Sequence, residues 1–145
     1  MEIAFNTQTN GAGIRAFVAE DSAAISERLI ALLTEGGDIT VVGEAISADE
    51  AIERILALRP DIVTLDIHLR GSSGLRVIHE VRRLAPEIQF IVLTDHPDPS
   101  YRRAFAQEGA RCFLDKNREF GRVKELILSA CAESRRPSGN NHAHH

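Results

Sequence analysis

Acidic side chains follow two apolar runs of the sequence, and they are the residues best suited to chemistry. Glu20 and Asp21 follow the run IRAFVA, and Asp66 ends the run DIVTLD. Two further runs, IQFIVLT and ARCFLDK, end in Thr94 and Lys116. Parallel strands of an α/β sheet bring their C-terminal ends to one edge, where ligands bind. We therefore expect three carboxylates, a hydroxyl and an ammonium in one site, a set suited to accepting a phosphoryl group.

Three carboxylates in one site predict a bound cation. Two carboxylates about 4 Å apart repel by about 4 kcal/mol at an effective dielectric of about 20, so such a site should be unstable without one. A hard divalent ion such as Mg²⁺ takes oxygen ligands and would leave Asp66 an oxygen free to attack phosphorus in line. Mg²⁺ and the Lys116 ammonium would then absorb charge on the transferring group.

Strand-like and helix-like segments alternate along the chain. Apolar runs of strand length cover 14–19, 39–45, 61–65, 88–93 and 110–114. Strict alternation with helices, and strands that are apolar throughout, indicate a parallel sheet covered on both faces. The sequence therefore predicts an α/β fold with a doubly wound five-stranded parallel sheet.

Apolar residues recur at helical spacing between these runs. The periodic sets are Ile25, Leu29, Leu32 and Leu33; then Leu75, Ile78 and Val81 with Leu84 or Ala85; and last Phe120, Val123, Ile127 and Ala130. The spacing of Ser47 and Glu50 predicts a capping box at the start of the second helix, which should end before Pro60. The last helix is predicted over roughly 119–133.

Length and composition limit the classes of protein to which the chain can belong. A chain of 145 residues with 43% hydrophobic and 26% charged residues predicts one globular domain. No window approaches the roughly 18 apolar residues that cross a bilayer, and no secretory signal opens the chain. Cys112 and Cys131 give no disulfide framework, so we expect a cytoplasmic protein without membrane insertion. A net charge of -4 without a basic stripe argues against nucleic acid as a direct partner.

The two ends differ in composition from the middle. Residues 1–13 are polar with a Gly-Ala-Gly hinge and predict a flexible N-terminal extension. Residues 134–145 are small and polar and predict a disordered tail, so the domain should cover 14–133. The terminal histidines could be taken for a metal site, but a natural tail or an expression remnant is the preferred interpretation.

The order of the site residues resembles that of the receiver domain of two-component response regulators, over about residues 14–133. An acidic pair follows the first strand, Asp the third, Thr the fourth and Lys the fifth. The resemblance implies the CheY-like, flavodoxin-like (βα)5 fold with strand order 2-1-3-4-5. It implies that Asp66 accepts a phosphoryl group from a histidine kinase. Glu20, Asp21, Asp66 and the backbone carbonyl of His68 would hold Mg²⁺.

The resemblance also implies a conformational switch. Thr94 would contact a phosphoryl oxygen and Lys116 would pair with the phosphate. Phe113 lies three residues before Lys116, at the position of an aromatic residue that moves between exposed and buried rotamers in this family. A phosphoryl group adds about -1.5 to -2 charge, which would draw Thr94 inward and open space for Phe113. Thr94 and Phe113 would together form the switch.

The partners that the resemblance implies are proteins. The donor would be a sensor histidine kinase or a phosphotransfer protein. A downstream protein would contact the face of the fourth helix, fifth strand and fifth helix, with Tyr101, Arg102, Phe105 and the 119–133 helix contributing. No output domain is visible, so we expect a stand-alone receiver that acts by protein contact or phosphorelay. It would not be an enzyme beyond its own phosphorylation and slow dephosphorylation.

Several residues depart from the family pattern. Arg70 replaces the usual Pro four residues after the acceptor, and Asn117 replaces the Pro that often follows the Lys. Asp95 replaces a small residue after Thr94, so it either restricts access to the site or points outward. His68 and His96 occupy positions that tune phosphoryl lifetime, and we predict that their charge near pH 6.5 modulates dephosphorylation. Two exposed histidines without a role are the equally weighted alternative.

Three other functions are alternatives to the receiver. A receiver-like protein-interaction module that works without phosphorylation is suggested by Asp95 and Arg70. An Asp-nucleophile phosphatase or hydrolase would need a second carboxylate two residues after Asp66, where His68 stands. A flavodoxin-like nucleotide binder would need a Gly-, Ser- or Thr-rich phosphate loop after the first strand, where the sequence is EDSAA.

Overall fold

The computed structural model describes residues 13–95 and 98–134. The predictions for the N-terminal extension and for the tail with its histidines lie almost entirely outside these residues, as does the prediction for His96. Within the described part, no helix is both long and apolar enough to cross a membrane.

The described residues contain five main strands that alternate with helices, as the sequence predicts. In chain order these are β1 (Ile14–Ala19), α1 (Ala23–Thr34), β2 (Ile39–Ala45), α2 (Ala48–Leu58), β3 (Ile62–Asp66), α3 (Gly74–Leu84), β4 (Gln89–Thr94), α4 (Pro99–Gln107), β5 (Cys112–Asp115) and α5 (Val123–Ser134). A two-residue antiparallel ladder joins His68–Leu69 to Ser72–Ser73 in the β3–α3 connection.

The β5–α5 connection differs from the prediction of a single helix beginning near residue 119. Residues Lys116–Glu119 form a short helix and Phe120–Arg122 a 3-10 turn before α5 begins at Val123. The Asp115 carboxylate starts the short helix by accepting the Asn117 N–H at 2.8 Å. Glu119 then leaves the helical region with φ -120 and ψ 11, which separates the short helix from α5.

The five strands form one parallel sheet in the order β2-β1-β3-β4-β5, which confirms the predicted doubly wound fold. The strand order places β1 beside β3. The chain passes from one half of the sheet to the other after β2. Asp66 of β3 is aligned with Leu93 of β4, and Thr94 of β4 with Asp115 of β5. The C-terminal ends of these strands therefore lie along one edge of the sheet.

Each face of the sheet packs against its own hydrophobic core. One core contains Phe17, Val63 and Leu65 together with apolar residues of α2, α3 and α4. The other contains Val18 and Ile62 with apolar residues of α1 and α5. Neighbouring residues of one strand enter different cores because side chains alternate between the two faces. This burial on both faces explains why the strands are apolar throughout.

Side-chain caps fix where the helices begin. The Ser47 hydroxyl accepts the Glu50 N–H at 3.2 Å, which is the Ser half of the predicted capping box. The α2 helix ends at Leu58, and Arg59 takes a left-handed conformation with φ 51 ahead of Pro60. The Asp98 carboxylate caps α4 by accepting the Ser100 N–H at 2.7 Å. Such caps satisfy N–H groups that have no partner within the helix.

Candidate functional site

Three carboxylates meet at the C-terminal edge of the sheet. Oxygens of Glu20, Asp21 and Asp66 lie within 4.8 Å of one another. Glu20 is 2% and Asp66 6% exposed, whereas Asp21 lies at the surface. They come together because β1 and β3 are neighbours and both end here. The carboxylates line a cleft of about 390 Å³.

Lys116 supplies a positive charge between two of these carboxylates. Its Nζ lies 2.9 Å from Glu20 Oε1 and 3.3 Å from Asp66 Oδ2. Burial opposes the charged form, but the hydrogen bond to Glu20 and the charge of Asp66 outweigh burial and raise the pKa of the ammonium. Lys116 is therefore a protonated bridge between the ends of β1 and β3.

Backbone groups hold the acidic side chains in place. The Ser22 N–H donates to Glu20 Oε2 at 3.1 Å, and the His68 N–H donates to Asp66 Oδ1 at 3.2 Å. The chain then turns back against β3, and the Gly74 N–H donates to the carbonyl of Ile67 at 2.8 Å. A Cβ on Gly74 would lie 2.2 Å from the Asp66 carbonyl oxygen, so this close approach requires glycine.

The raised pKa values of the carboxyl groups indicate that Lys116 does not fully offset the negative charge of the site. Burial first, and then the charge of Glu20, raise the pKa of Asp66 to about 6, although Lys116 acts in the opposite direction. Burial and the charge of Asp66 also raise the pKa of Asp21. Crowded carboxylates whose ionisation is disfavoured are those that a nearby cation would stabilise.

The same residues fit a hard divalent cation. Carboxylate oxygens are the ligands that Mg²⁺ prefers. Glu20 Oε1 is buried, and its partner among the described residues is the Lys116 ammonium at 2.9 Å, which leaves the Glu20 carboxylate able to take a further cation. The donor set of Glu20, Asp21 and Asp66 therefore agrees with the predicted Mg²⁺ site.

The two residues predicted to form a switch are both buried. Thr94 ends β4 with 0% exposure, and Phe113 of β5 is 8% exposed. The Phe113 ring lies 6.0 Å from the Phe105 ring between centroids. The Arg102 guanidinium lies 4.9 Å above the Phe113 ring and donates to the Phe113 carbonyl at 3.3 Å. The Phe113 side chain is thus buried between β5 and α4.

One of the residues that we expected to contact a partner is buried, so that prediction is wrong. Phe105 is only 2% exposed because it faces the core and packs against Phe113. Tyr101 and Arg102 of the same helix are exposed. The resemblance named residues of this helix without separating the buried side of α4 from its outer side.

Several of the residues discussed as departures from the family pattern line the cleft. Asp95 is exposed and lines it, as do His68 and Asn117. The His68 ring makes an edge-on contact with Tyr101, with 5.9 Å between ring centroids. Arg70 is held by its backbone, because its N–H donates to Ile46 at 3.0 Å and its carbonyl accepts from Ala48 at 3.2 Å.

Arg28 is a cleft residue that sequence reasoning missed. It lies on the exposed side of α1 and lines the cleft with the acidic residues and Lys116. A lone arginine on the polar side of an amphipathic helix gives no signal in one sequence, because most such residues only face solvent. Its place beside the cleft follows from how α1 packs on the sheet.

Comparison with known proteins gives a consistent match. The family model described as "Response regulator receiver domain" matches residues 16–128. "Uncharacterized transcriptional regulatory protein YvfU" of Bacillus subtilis is 33% identical over 123 residues, covering 85% of this chain and 61% of that protein. "Protein-glutamate methylesterase/protein-glutamine glutaminase 1" of Carboxydothermus hydrogenoformans is 33% identical over 127 residues, covering 83% of this chain and 37% of that protein. The chain thus spans less than two thirds of the length of either relative.

A solved structure shows the same fold over nearly its whole length. The signal receiver domain of NarL from Mycobacterium tuberculosis superposes with a TM-score of 0.78 at 29% sequence identity. The match covers 85% of this chain and 98% of that domain. The similarity therefore concerns the sheet and helices described above.

Proposed function

Because the chain belongs to the response regulator receiver domain family of two-component signalling, we propose that it accepts a phosphoryl group on the Asp66 carboxylate. The observation that carries this proposal is the contact of the Lys116 ammonium with both Glu20 and Asp66, in a cleft that Asp21 also lines. A nucleophile, a positive charge and a set of metal ligands then occupy one site. These are the parts that phosphoryl transfer requires.

The transfer step needs little beyond these residues. An Asp66 carboxylate oxygen forms a bond to phosphorus while the bond from phosphorus to the donor breaks, and its electron pair leaves with the donor. The Asp66 pKa of about 6 leaves the carboxylate ionised at neutral pH, as a nucleophile must be. Lys116 stabilises negative charge on the transferring group. Mg²⁺ held by Glu20, Asp21, Asp66 and the His68 carbonyl would neutralise the remaining charge.

The output of the domain is proposed to pass through Thr94 and Phe113. Thr94 ends the strand next to β3, at the same edge of the sheet as Asp66, so its hydroxyl is the proposed contact for a phosphoryl group on Asp66. Movement of Thr94 frees space for Phe113, whose ring lies beneath α4. Moving such a switch from about 1:99 to 99:1 takes about 5.5 kcal/mol of differential interaction, which a few charge-assisted contacts can supply.

We propose protein partners on both sides of this reaction. A histidine kinase or phosphotransfer protein would supply the phosphoryl group. A downstream protein would contact the outer faces of α4, β5 and α5, where Tyr101 is 38% exposed and Arg102 reaches Phe113.

Asp95 gives specific support to a second candidate function, a protein-interaction module that works without phosphorylation. It adds a fourth carboxylate to the lining of the cleft. A negative charge at the mouth repels an anionic donor. In this alternative the acidic cleft has only a structural role. A partner binds the domain whether or not Asp66 carries a phosphoryl group.

Intact mass distinguishes the two functions. The full chain is incubated with Mg²⁺ and acetyl phosphate, beside Asp66→Asn and a sample with the Mg²⁺ chelated. We expect one phosphoryl group on the wild type and none in the other two samples. Asp38→Asn removes an exposed carboxylate outside the cleft and should react as the wild type does.

No mass gain in a wild type that is folded by circular dichroism would favour the interaction module. Asp95→Ala then shows whether charge at the mouth is the obstacle, because a gain in that variant alone would mean that Asp95 blocks the donor. Gain in Asp66→Asn would instead assign the acceptor to another residue.

A further inference from the structure

The segment that carries Lys116 begins at a fixed point of the sheet. Asp115 ends β5 and is aligned with Thr94 of β4, so the backbone just before Lys116 belongs to the sheet. The next residues form a helix of only four residues, Lys116–Glu119. A single helical turn is not stable by itself, because fixing its backbone costs more than its few hydrogen bonds contribute. The position of Lys116 therefore depends on what holds this turn in place.

Two acidic side chains hold the turn from its two ends. The Asp115 carboxylate accepts the Asn117 N–H at 2.8 Å, and the Asp115 N–H donates to Glu119 Oε1 at 3.0 Å. We call these two hydrogen bonds the reciprocal cap. The other Glu119 oxygen, Oε2, accepts from Arg122 at 2.9 Å, which fixes the direction of the Glu119 side chain. The backbone on both sides of Lys116 is therefore held by hydrogen bonds.

The Lys116 ammonium has to meet two carboxylates at once. It lies 2.9 Å from Glu20 Oε1 and 3.3 Å from Asp66 Oδ2, and the Lys116 side chain is only 10% exposed. A lysine has a flexible four-carbon side chain, so a mobile backbone beneath it would multiply the conformations that must be lost to reach this position. Asn117 does not restrict φ as a proline would. The restriction comes instead from the reciprocal cap.

We infer that Asp115 and Glu119 are positioning residues for phosphoryl transfer, because the reciprocal cap holds the Lys116 ammonium where charge develops on the transferring group. The inference rests on the proposed transfer to Asp66. Neither Asp115 nor Glu119 lines the cleft, so they act through Lys116 and not on the donor. A misplaced catalytic group stabilises the transition state less, so the rate falls even though the group is still present.

Rates of phosphoryl uptake test the inference. The full chain and its variants are incubated with saturating Mg²⁺ and excess acetyl phosphate, and intact mass is recorded over time. We expect Glu119→Ala to react about fivefold more slowly than the wild type, as for the loss of one helix cap of ordinary strength. Glu119→Gln keeps an oxygen that can accept the Asp115 N–H and should recover most of the rate. Asp115→Ala and Asp115→Asn should differ in the same way, because Asn also caps helices.

Further measurements separate the positioning of Lys116 from general damage to the site. Mg²⁺ affinity, measured by calorimetry without a donor, should stay close to the wild-type value in Glu119→Ala, because the carboxylates proposed to bind Mg²⁺ lie at the ends of β1 and β3. Adding Glu119→Ala to Lys116→Met should slow the reaction no further, because no ammonium remains to be positioned. Glu125→Ala removes an exposed carboxylate of α5 and should react as the wild type does.

Several results would contradict the role of the reciprocal cap. These are a Glu119→Ala protein that reacts as fast as the wild type, a Glu119→Gln protein as slow as Glu119→Ala, an equal slowing by Glu119→Ala with and without Lys116, and a loss of Mg²⁺ affinity in proportion to the rate. Each would overturn the inference and leave phosphoryl transfer to Asp66 intact. A folded wild type that takes up no phosphoryl group would overturn the proposed function, and the inference with it.

Discussion

At the scale of single residues, Asp66 combines two demands that oppose each other. It must be buried beside Glu20 to form the site, yet it must be ionised to attack phosphorus. Burial and the neighbouring charge raise its pKa to about 6, so the folded protein pays in stability for an ionised Asp66 at neutral pH. Residues that lower the stability of the fold are common in sites that are held in their working arrangement before a ligand binds.

This conflict predicts a pH-dependent gain in stability from Asp66→Asn. The pKa of Asp66 lies above its usual value of 3.8, so the folded protein keeps a proton that the unfolded chain has lost. Stability therefore falls as pH rises from about 4 through about 6, by an amount on the order of 3 kcal/mol. We expect Asp66→Asn without Mg²⁺ to be about 1–3 kcal/mol more stable than the wild type near pH 8, with the gain disappearing near pH 4. Urea denaturation at the two pH values measures it.

Two variants serve as controls for this prediction. Asp38→Asn makes the same change of net charge at an exposed position and should leave stability almost unchanged. Lys116→Met removes the cation between Glu20 and Asp66 and should have the opposite sign, a loss of about 2–4 kcal/mol near pH 8. An Asp66→Asn protein less stable than the wild type near pH 8 would contradict the account of crowded carboxylates.

At the scale of elements, the start of α3 sets the shape of the acidic loop. Gly74 is the first residue of α3, and a Cβ there would lie 2.2 Å from the Asp66 carbonyl oxygen. The chain can return so close to β3 only where no side chain intervenes. The Ser73 hydroxyl fixes the turn by accepting the Leu75 N–H at 2.8 Å. The position of Asp66 therefore depends on a residue that takes no part in the chemistry.

Gly74→Ala is expected to damage stability and function together. The added methyl group must push α3 away from the backbone of Asp66, at a cost of about 2 kcal/mol or more. Displacement of Asp66 should also slow phosphoryl uptake, as measured by intact mass over time. Gly121→Ala is the matched control, because nothing lies within 4 Å of its Cβ position and its effect should stay within about 0.5 kcal/mol. A Gly74→Ala protein as stable as Gly121→Ala would show that α3 adjusts freely.

At the scale of the whole molecule, the acidic edge couples ion binding to folding. Glu20 and Asp21 follow β1, Asp66 ends β3 and Lys116 follows β5, so the site exists only when the sheet is assembled. A ligand that binds only the folded state stabilises it by mass action. Mg²⁺ should therefore raise the melting temperature of the domain.

Stabilisation by Mg²⁺ depends on the Mg²⁺ concentration and on pH. At a concentration of Mg²⁺ about a hundredfold above its dissociation constant, stabilisation is about 2.7 kcal/mol, which raises the melting temperature of a domain of this size by about 10 °C. The shift should shrink below about pH 6 as Asp66 takes up its proton. Differential scanning fluorimetry against Mg²⁺ at several pH values measures it, with Na⁺ at equal ionic strength as the control. An equal shift in both salts would mean general screening and no specific site.

The sequence by itself determined the elements and the kinds of chemical group at their ends. Apolar runs of strand length alternating with helical periods were enough to predict the parallel sheet, because burial on both faces leaves a pattern within each segment. The same pattern located Glu20, Asp21, Asp66, Thr94 and Lys116 at strand ends. Burial within a single strand or helix can be predicted from the order of its apolar and polar residues.

Only the tertiary structure decided which of these groups touch and which others join them. The bridge from Lys116 to Glu20 and Asp66 joins segments far apart in the chain. The burial of Phe105 depends on how α4 packs on the sheet, and the approach of Gly74 to Asp66 depends on how the β3–α3 connection folds back. Arg28 reaches the cleft only because α1 packs beside the β5–α5 connection. Such contacts depend on strand order, on the twist of the sheet and on how each helix is rotated about its axis. Periodicity along one segment carries no information about these quantities.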